Sequence, residues 1–291
     1  MPTTIRSGRC TPDQTVLVPD QREGSDQRIA QSHWIDVEGG QLHVRTSGDG
    51  PLVMFLHGWT LDWRIWTPQL SLAQNMQLVM PDRRGFGHST APPELTAERD
   101  DIDAIADHFG ASKMSVVGLS QGAAVALDYA RTRPERLGSV ALIGAPLHHV
   151  VHEPNDVPEI DRGAFSSLVR NGRLAEMLSE WQRHPLVQVS NEGQHLLGQI
   201  LADYDARDQM IDQEPLAFSH SDIAGLAMPV LAIAGETDST WRQDVARFIG
   251  TNAPLGETEI IPNAGHIANL DQPQTINTLL EKFLSKHQNG T

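Results

Sequence analysis

The sequence has a single cysteine, Cys10, among 291 residues. One thiol cannot close an internal disulfide, and no basic-then-apolar signal pattern surrounds it, so a reducing, cytoplasmic location is expected. Basic residues are also few: 22 Lys and Arg stand against 37 Asp and Glu, a formal net charge of −15. That balance disfavours nucleic acid and anionic membranes as partners, because both attract basic surfaces. No apolar run approaches the length needed to span a bilayer. There is no Gly-x-Gly-x-x-Gly after a strand and no phosphate-loop pattern, so no nucleotide cofactor is expected. Neutral or weakly polar small molecules are left as the expected ligands.

The chain is 39% hydrophobic, enough for one large core. Residues 1–32 are rich in Gln, Asp, Arg, Ser, Thr and Pro and read as a weakly packed extension. Residues 33–47 alternate apolar and polar around Gly39-Gly40, which predicts an antiparallel hairpin. Strands near 52–56, 76–80, 114–119, 139–143, 229–234 and 257–261 then alternate with helices near 62–74, 96–109, 121–132, 240–251 and 273–286. Alternation of this kind predicts a mostly parallel α/β sheet with helices on both faces. The alternation lapses over 146–228, where helical patterns carry Gly and Pro breaks. This segment is expected to be a helical lid over the carboxyl ends of the strands, dividing the core into 33–145 and 229–291.

Residues 114–122, Met-Ser-Val-Val-Gly-Leu-Ser-Gln-Gly, carry the strongest signal. An apolar strand runs into Gly118-x-Ser120-x-Gly122 and then a small-residue helix, the context in which a serine is held on a strained turn with its hydroxyl pushed out of the sheet. A serine hydroxyl is a poor nucleophile at neutral pH; it needs a general base and a carboxylate to orient that base. In the required order, Asp238 follows the strand at 229–235 and His266 follows the strand at 258–262, with Glu236 as the rival acid. Oxyanion donors are expected from the backbone amides of Gln121, after the nucleophile, and Trp59, in the His57-Gly58-Trp59 turn after the strand at 52–56. His57 itself is expected to brace that turn.

Trp63 and Trp66 follow the turn at three-residue spacing, and Phe165, Leu168, Met177, Leu178 and Trp181 recur at helical spacing in the insertion. Trp63, Trp66, Phe165, Met177 and Trp181 are the candidates for the substrate pocket, although core packing is the commoner fate of such residues. Arg162, Arg170 and Arg173 are the nearby cations for an anionic substrate. Among His148, His149 and His152, positions 148 and 152 would share one helical face, but neither a third ligand nor a carboxylate partner is indicated, so no metal is expected there. Asp203, Asp205, Asp208 and Asp212 lack the glycine of a calcium loop and read as a solvated helix face.

His57-Gly58-Trp59, Asp82-Arg83-Arg84-Gly85-Phe86-Gly87-His88-Ser89, Gly118 to Gly122, Gly235-Glu236-Thr237-Asp238 and Ala264-Gly265-His266 together resemble the α/β-hydrolase superfamily over roughly residues 33–287. The elbow and residues 265–273, Gly-His-Ile-Ala-Asn-Leu-Asp-Gln-Pro, resemble the 3-oxoadipate enol-lactonase and small bacterial arylesterase group. Ala123, where that group has a second glycine, and the polar extension depart from it. The resemblance implies an eight-stranded α/β-hydrolase fold with a lid. The implied activity is cofactor-independent hydrolysis of small carboxylic esters or lactones through an acyl-enzyme on Ser120. Perhydrolysis or C–C bond hydrolysis on the same triad, and a small-molecule receptor with slow turnover, are the alternatives. Oligomeric state is not legible.

Overall fold

In a computed structural model of the chain, residues 31–153 and 159–287 are described. Cys10 and most of the expected extension lie outside these residues. Eight strands form one sheet: β1 (Gln31–Val37), β2 (Gly40–Ser47), β3 (Leu52–Leu56), β4 (Gln77–Pro81), β5 (Met114–Leu119), β6 (Leu137–Ile143), β7 (Val230–Gly235) and β8 (Gly256–Ile261). Their spatial order is β1-β2-β4-β3-β5-β6-β7-β8. The β1–β2 hairpin turns at Gly39, whose φ of +83° suits a residue without a Cβ, and β2 joins β4 antiparallel. All later pairings are parallel. Strand β1 starts at Gln31, so the last two residues of the expected extension belong to the sheet.

Strands β3, β5 and β7 are buried at every position, as expected of central strands covered on both faces. The covering helices are α1 (Glu98–His108), α2 (Gln121–Thr132), α7 (Thr240–Asn252) and α9 (Pro273–His287), with the short α8 (Ala268–Asp271) before the last. Residues 63–74 differ from the expected helix: Pro68 removes a donor inside the segment, and it forms 3-10 turns, capped where Asp62 accepts from the Arg64 amide. Between β6 and β7 the chain carries α3 (Arg162–Arg170), α4 (Leu174–Trp181), α5 (Asn191–Asp203) and α6 (His220–Ala224). Among the described residues, no helix is long and apolar enough to cross a membrane.

Register places the carboxyl ends of the parallel strands together. Leu56 faces Gly118, Leu119 faces Ile143, Ile143 faces Ile233 and Gly235 faces Ile261. The loops that leave these ends therefore open on one crevice. At its centre α2 follows β5 after the single residue Ser120, and a Cβ on Gly122 would fall on the carbonyl oxygens of Leu56 and His57. Gly122→Ala should push α2 off the end of β3 and destabilise the fold by about 1–3 kcal/mol or more. Gly198→Ala, at a helical position where a Cβ meets nothing within 4 Å, is the control in a denaturant titration and should not lower stability.

Candidate active site

Ser120 joins β5 to α2 with φ +54° and ψ −117°, a backbone conformation that L side chains rarely adopt. Its amide is tied to the Ile143 carbonyl (2.8 Å), and its own carbonyl accepts from Ala123 and Ala124, so the helix begins immediately behind it. Ser120 lines a cavity with Gly58, Trp59, Leu61, Leu119, Ile160, Trp181, Leu186, Val187, His266 and Ile267.

His266 stands in the loop between β8 and α8, buried, with Nδ1 2.9 Å from Asp238 Oδ2. Its Nε2 is buried without a hydrogen-bond partner among the described residues. The imidazole is thus oriented from one side and unpartnered on the other, and His266 and Ser120 line one cavity. Gly144, at the end of β6 with φ +56°, permits this position: a Cβ there would lie 2.7 Å from His266 Cε1. Burial pushes the Asp238 carboxyl up, but the charges of His266 and Arg242 and the Ser239 amide together hold it below the usual carboxylate range. It is ionised at neutral pH and acts only as an acceptor. The rival Glu236 turns away and accepts the Asn263 amide at 3.0 Å.

The amides of Trp59 and Gln121 find no acceptor among the described residues. Both elements that carry them are clamped by Arg83. Its guanidinium donates to the His57 carbonyl (2.9 Å) and to Gln121 Oε1 (3.3 Å), and it pairs fork to fork with Glu98 at 2.6 and 2.7 Å. The Arg83 amide donates to His57 Nε2 at 2.9 Å, while His57 Nδ1 donates to the Gly58 carbonyl at 2.8 Å. Burial first, and the Arg83 charge next, bring the His57 pKa down to about 3, so the ring is a neutral brace.

The pocket candidates separate on inspection. Trp181 lines the cavity, packs edge-on against Trp59 (4.7 Å between centroids) and donates from Nε1 to Thr60 Oγ1. Phe165 stands behind both, 5.9 Å from Trp59 and 5.7 Å from Trp181. Trp66 is wholly buried against Phe55, Met177 is wholly buried in the same core, and Trp63 lies under Arg45. None of these four lines the cavity, because each is taken up by packing on the core side of the turn or of α3 and α4. The cavity wall is instead Leu61, Ile160, Ile267 and the short turn Leu186-Val187, residues without periodicity that could single them out.

Charges in the insertion also depart from expectation. Asp208 is buried rather than solvated; it accepts from Trp59 Nε1, Tyr204 Oη and Gln209 Nε2, and burial raises its pKa despite these donors. Arg162 lies 4.5 Å above the Trp59 ring, with its pKa brought down to about 10 chiefly by burial, whereas Arg170 pairs with Asp212 and Arg173 with Glu176 on the surface. Arg242, unsuspected from sequence, pairs with Glu159 at 2.6 Å and donates to the Gly144 carbonyl, joining the insertion to the histidine's support. His148 bonds Glu153 and stacks on Trp241, and among the described residues no metal-ligand set includes His148, His149 or His152.

The His57 environment gives a signed stability prediction. Its folded pKa of about 3 lies below the ordinary 6.5, so between these values the unfolded chain binds a proton that the folded chain refuses. Stability should fall as pH drops through this window, by up to about 1.4 kcal/mol per pH unit from this group. In denaturant titrations at several pH values, His57→Gln should remove that part of the slope; an unchanged slope would contradict a neutral His57.

The alpha/beta hydrolase family matches residues 53–279. The carboxylesterase YbfK of Bacillus subtilis (strain 168) is similar at 22% identity over 275 residues, 88% of each chain. Its crystal structure superposes with a TM-score of 0.75 at 20% identity, over 88% of this chain and 92% of that one. The enol-lactonase of Burkholderia xenovorans LB400 superposes with a TM-score of 0.72 at 19% identity, over 87% of this chain and all (100%) of that one. Epoxide hydrolase 2 of Siraitia grosvenorii is 34% identical over a shorter stretch of 128 residues, 42% of this chain and 40% of that one. The family match runs from β3 into α9 and takes in Ser120, Asp238 and His266, and the chain belongs to the alpha/beta hydrolase family.

Proposed function

We propose that the protein is a cofactor-independent serine hydrolase of small carboxylic esters or lactones. The observation that carries this reading is the buried Asp238–His266 pair, whose Nε2 has no partner among the described residues and whose ring lines the same cavity as Ser120 on its strained turn. His266 takes the Ser120 proton as the oxygen attacks the ester carbonyl. The oxyanion forms between the Trp59 and Gln121 amides. His266 then passes the proton to the leaving alkoxide, and the acyl group remains on Ser120. Water, deprotonated by the same imidazole, attacks the acyl-enzyme, and the acid departs as Ser120 regains its proton. Asp238 stays ionised throughout and stabilises the imidazolium.

Residues 146–228 act as the lid in this reading. Ile160, Trp181, Leu186 and Val187 reach the cavity from it and favour small apolar acyl groups. For a substrate that bears a carboxylate, Arg162 above Trp59 is the cation at hand. Carboxylesterases and an enol-lactonase among the similar proteins agree with ester or lactone chemistry. Epoxide opening through an alkyl-ester intermediate needs a carboxylate nucleophile, and position 120 is serine.

With p-nitrophenyl acetate as substrate, Ser120→Ala should lower kcat by about 10^4-fold or more with an unchanged melting temperature. Asp238→Asn should be far more damaging than Glu236→Gln, since only the former leaves His266 without its orienting acceptor. Activity retained by purified Ser120→Ala, or equal losses in the two acid variants, would overturn the assignment.

A further inference from the structure

A second constellation of chemistry-bearing residues lies among strand β2, the residue after β4 and the turn that follows. His43 Nδ1 is 2.9 Å and His88 Nδ1 3.5 Å from the same oxygen, Asp82 Oδ2. One ligand atom from each of the three residues fits within 4.8 Å of the others. Bracing the turn accounts for part of this: Asp82 accepts from the Trp63 amide through Oδ1 and from the His88 amide through Oδ2. It does not account for the His88 imidazole. That side chain is 72% exposed, yet its ring sits beside a carboxylate already supplied with donors.

We propose that His43, Asp82 and His88 bind one divalent transition-metal ion of the zinc type, apart from the hydrolytic site. Two imidazoles and a carboxylate are a borderline N/O donor set suited to such an ion. Two imidazoles on one tetrahedral ion, at bond lengths of about 2.0–2.1 Å, place their ring centroids about 5 Å apart. The His43 and His88 rings stand 5.1 Å apart, 64° from coplanar. The supporting contacts are those of a metal site as well: His43 Nε2 is held by Ser32 Oγ at 2.8 Å, and Asp82 Oδ1 by the Trp63 amide.

Coordination needs small adjustments only. The ion replaces the hydrogen bond between His43 Nδ1 and Asp82 Oδ2; the ring proton of a neutral His43 moves to Nε2 and is donated to Ser32 Oγ. The His88 side chain swings inward by rotation at the surface, and its exposed side leaves a position for water. The ion would tie β2 to the turn at 82–88. That turn also carries the Arg83 amide on His57 and the Gly87 carbonyl that accepts from Arg207 of the insertion. Its expected effect is stabilisation of this support.

The test is isothermal titration of the full chain with zinc chloride in a non-chelating buffer, with thermal melts in parallel. One-to-one micromolar binding with a raised melting temperature is expected, and a cobalt(II) adduct should show the visible absorption of a tetrahedral N/O site. His88→Ala removes only an exposed side chain and keeps the backbone amide on Asp82, so it should fold; it should weaken binding by about tenfold or more and abolish the thermal shift. His148→Ala, the control at the other imidazole–carboxylate contact, should bind as the wild type. Absence of saturable binding below millimolar zinc, or equal binding by His88→Ala, would overturn the site.

Discussion

The candidate site depends on the backbone contact between the first turn of α2 and the carboxyl end of β3. Gly122 lies so close to the Leu56 and His57 carbonyls that no side chain fits between them. This contact brings the Gln121 amide beside the turn that carries Trp59, and it holds Ser120 at φ +54° in the wall of the cavity. The same economy of volume recurs at Gly144, where the missing Cβ admits the His266 ring. The geometry proposed for nucleophile, base and oxyanion donors thus follows from the carboxyl ends of β3, β5, β6 and β8 and from two residues without side chains.

Around this frame, buried charges come in pairs that tie separate elements together. Arg83–Glu98 fastens the His57 turn and Gln121 to α1, and Arg242–Glu159 fastens the insertion to α7 and to the Gly144 carbonyl. A buried pair of this kind is weak evidence of net stability, since desolvation offsets much of the attraction, but removal of one member strands a charge. Its consequence here is positional: guanidinium forks reach carbonyl oxygens on two loops at once, which an ammonium group does less well. Asp208 serves likewise for the Trp59 indole.

Much of the sheet was legible because central strands announce themselves as short apolar runs and their turns as glycine motifs. Strand β5 and helix α2 have the expected bounds, and the acid of the His266 pair is Asp238. Residues 63–74 were legible as helical but not as 3-10 turns, although Pro68 was in view. The pocket wall was the least legible part. Trp66 and Met177 carry the same apolar signal as Trp181, and only three-dimensional packing decides which of them meets the cavity. Ile160 and Leu186-Val187 carry no periodic signal. Asp208 looked like a surface acid because its donors, Trp59 and Tyr204, are distant in sequence or unremarkable beside it.

The central claim, that Ser120 carries the acyl group, is tested most directly by mass spectrometry of the intact protein quenched with acid during turnover of p-nitrophenyl acetate, followed by peptide mapping. The account predicts one acetyl group per chain, on Ser120, which accumulates further in Asp238→Asn if deacylation is the slower step there and is absent in Ser120→Ala. Turnover without any covalent adduct at early quench times, or an acetyl group mapped to another residue while Ser120→Ala remains active, would contradict it.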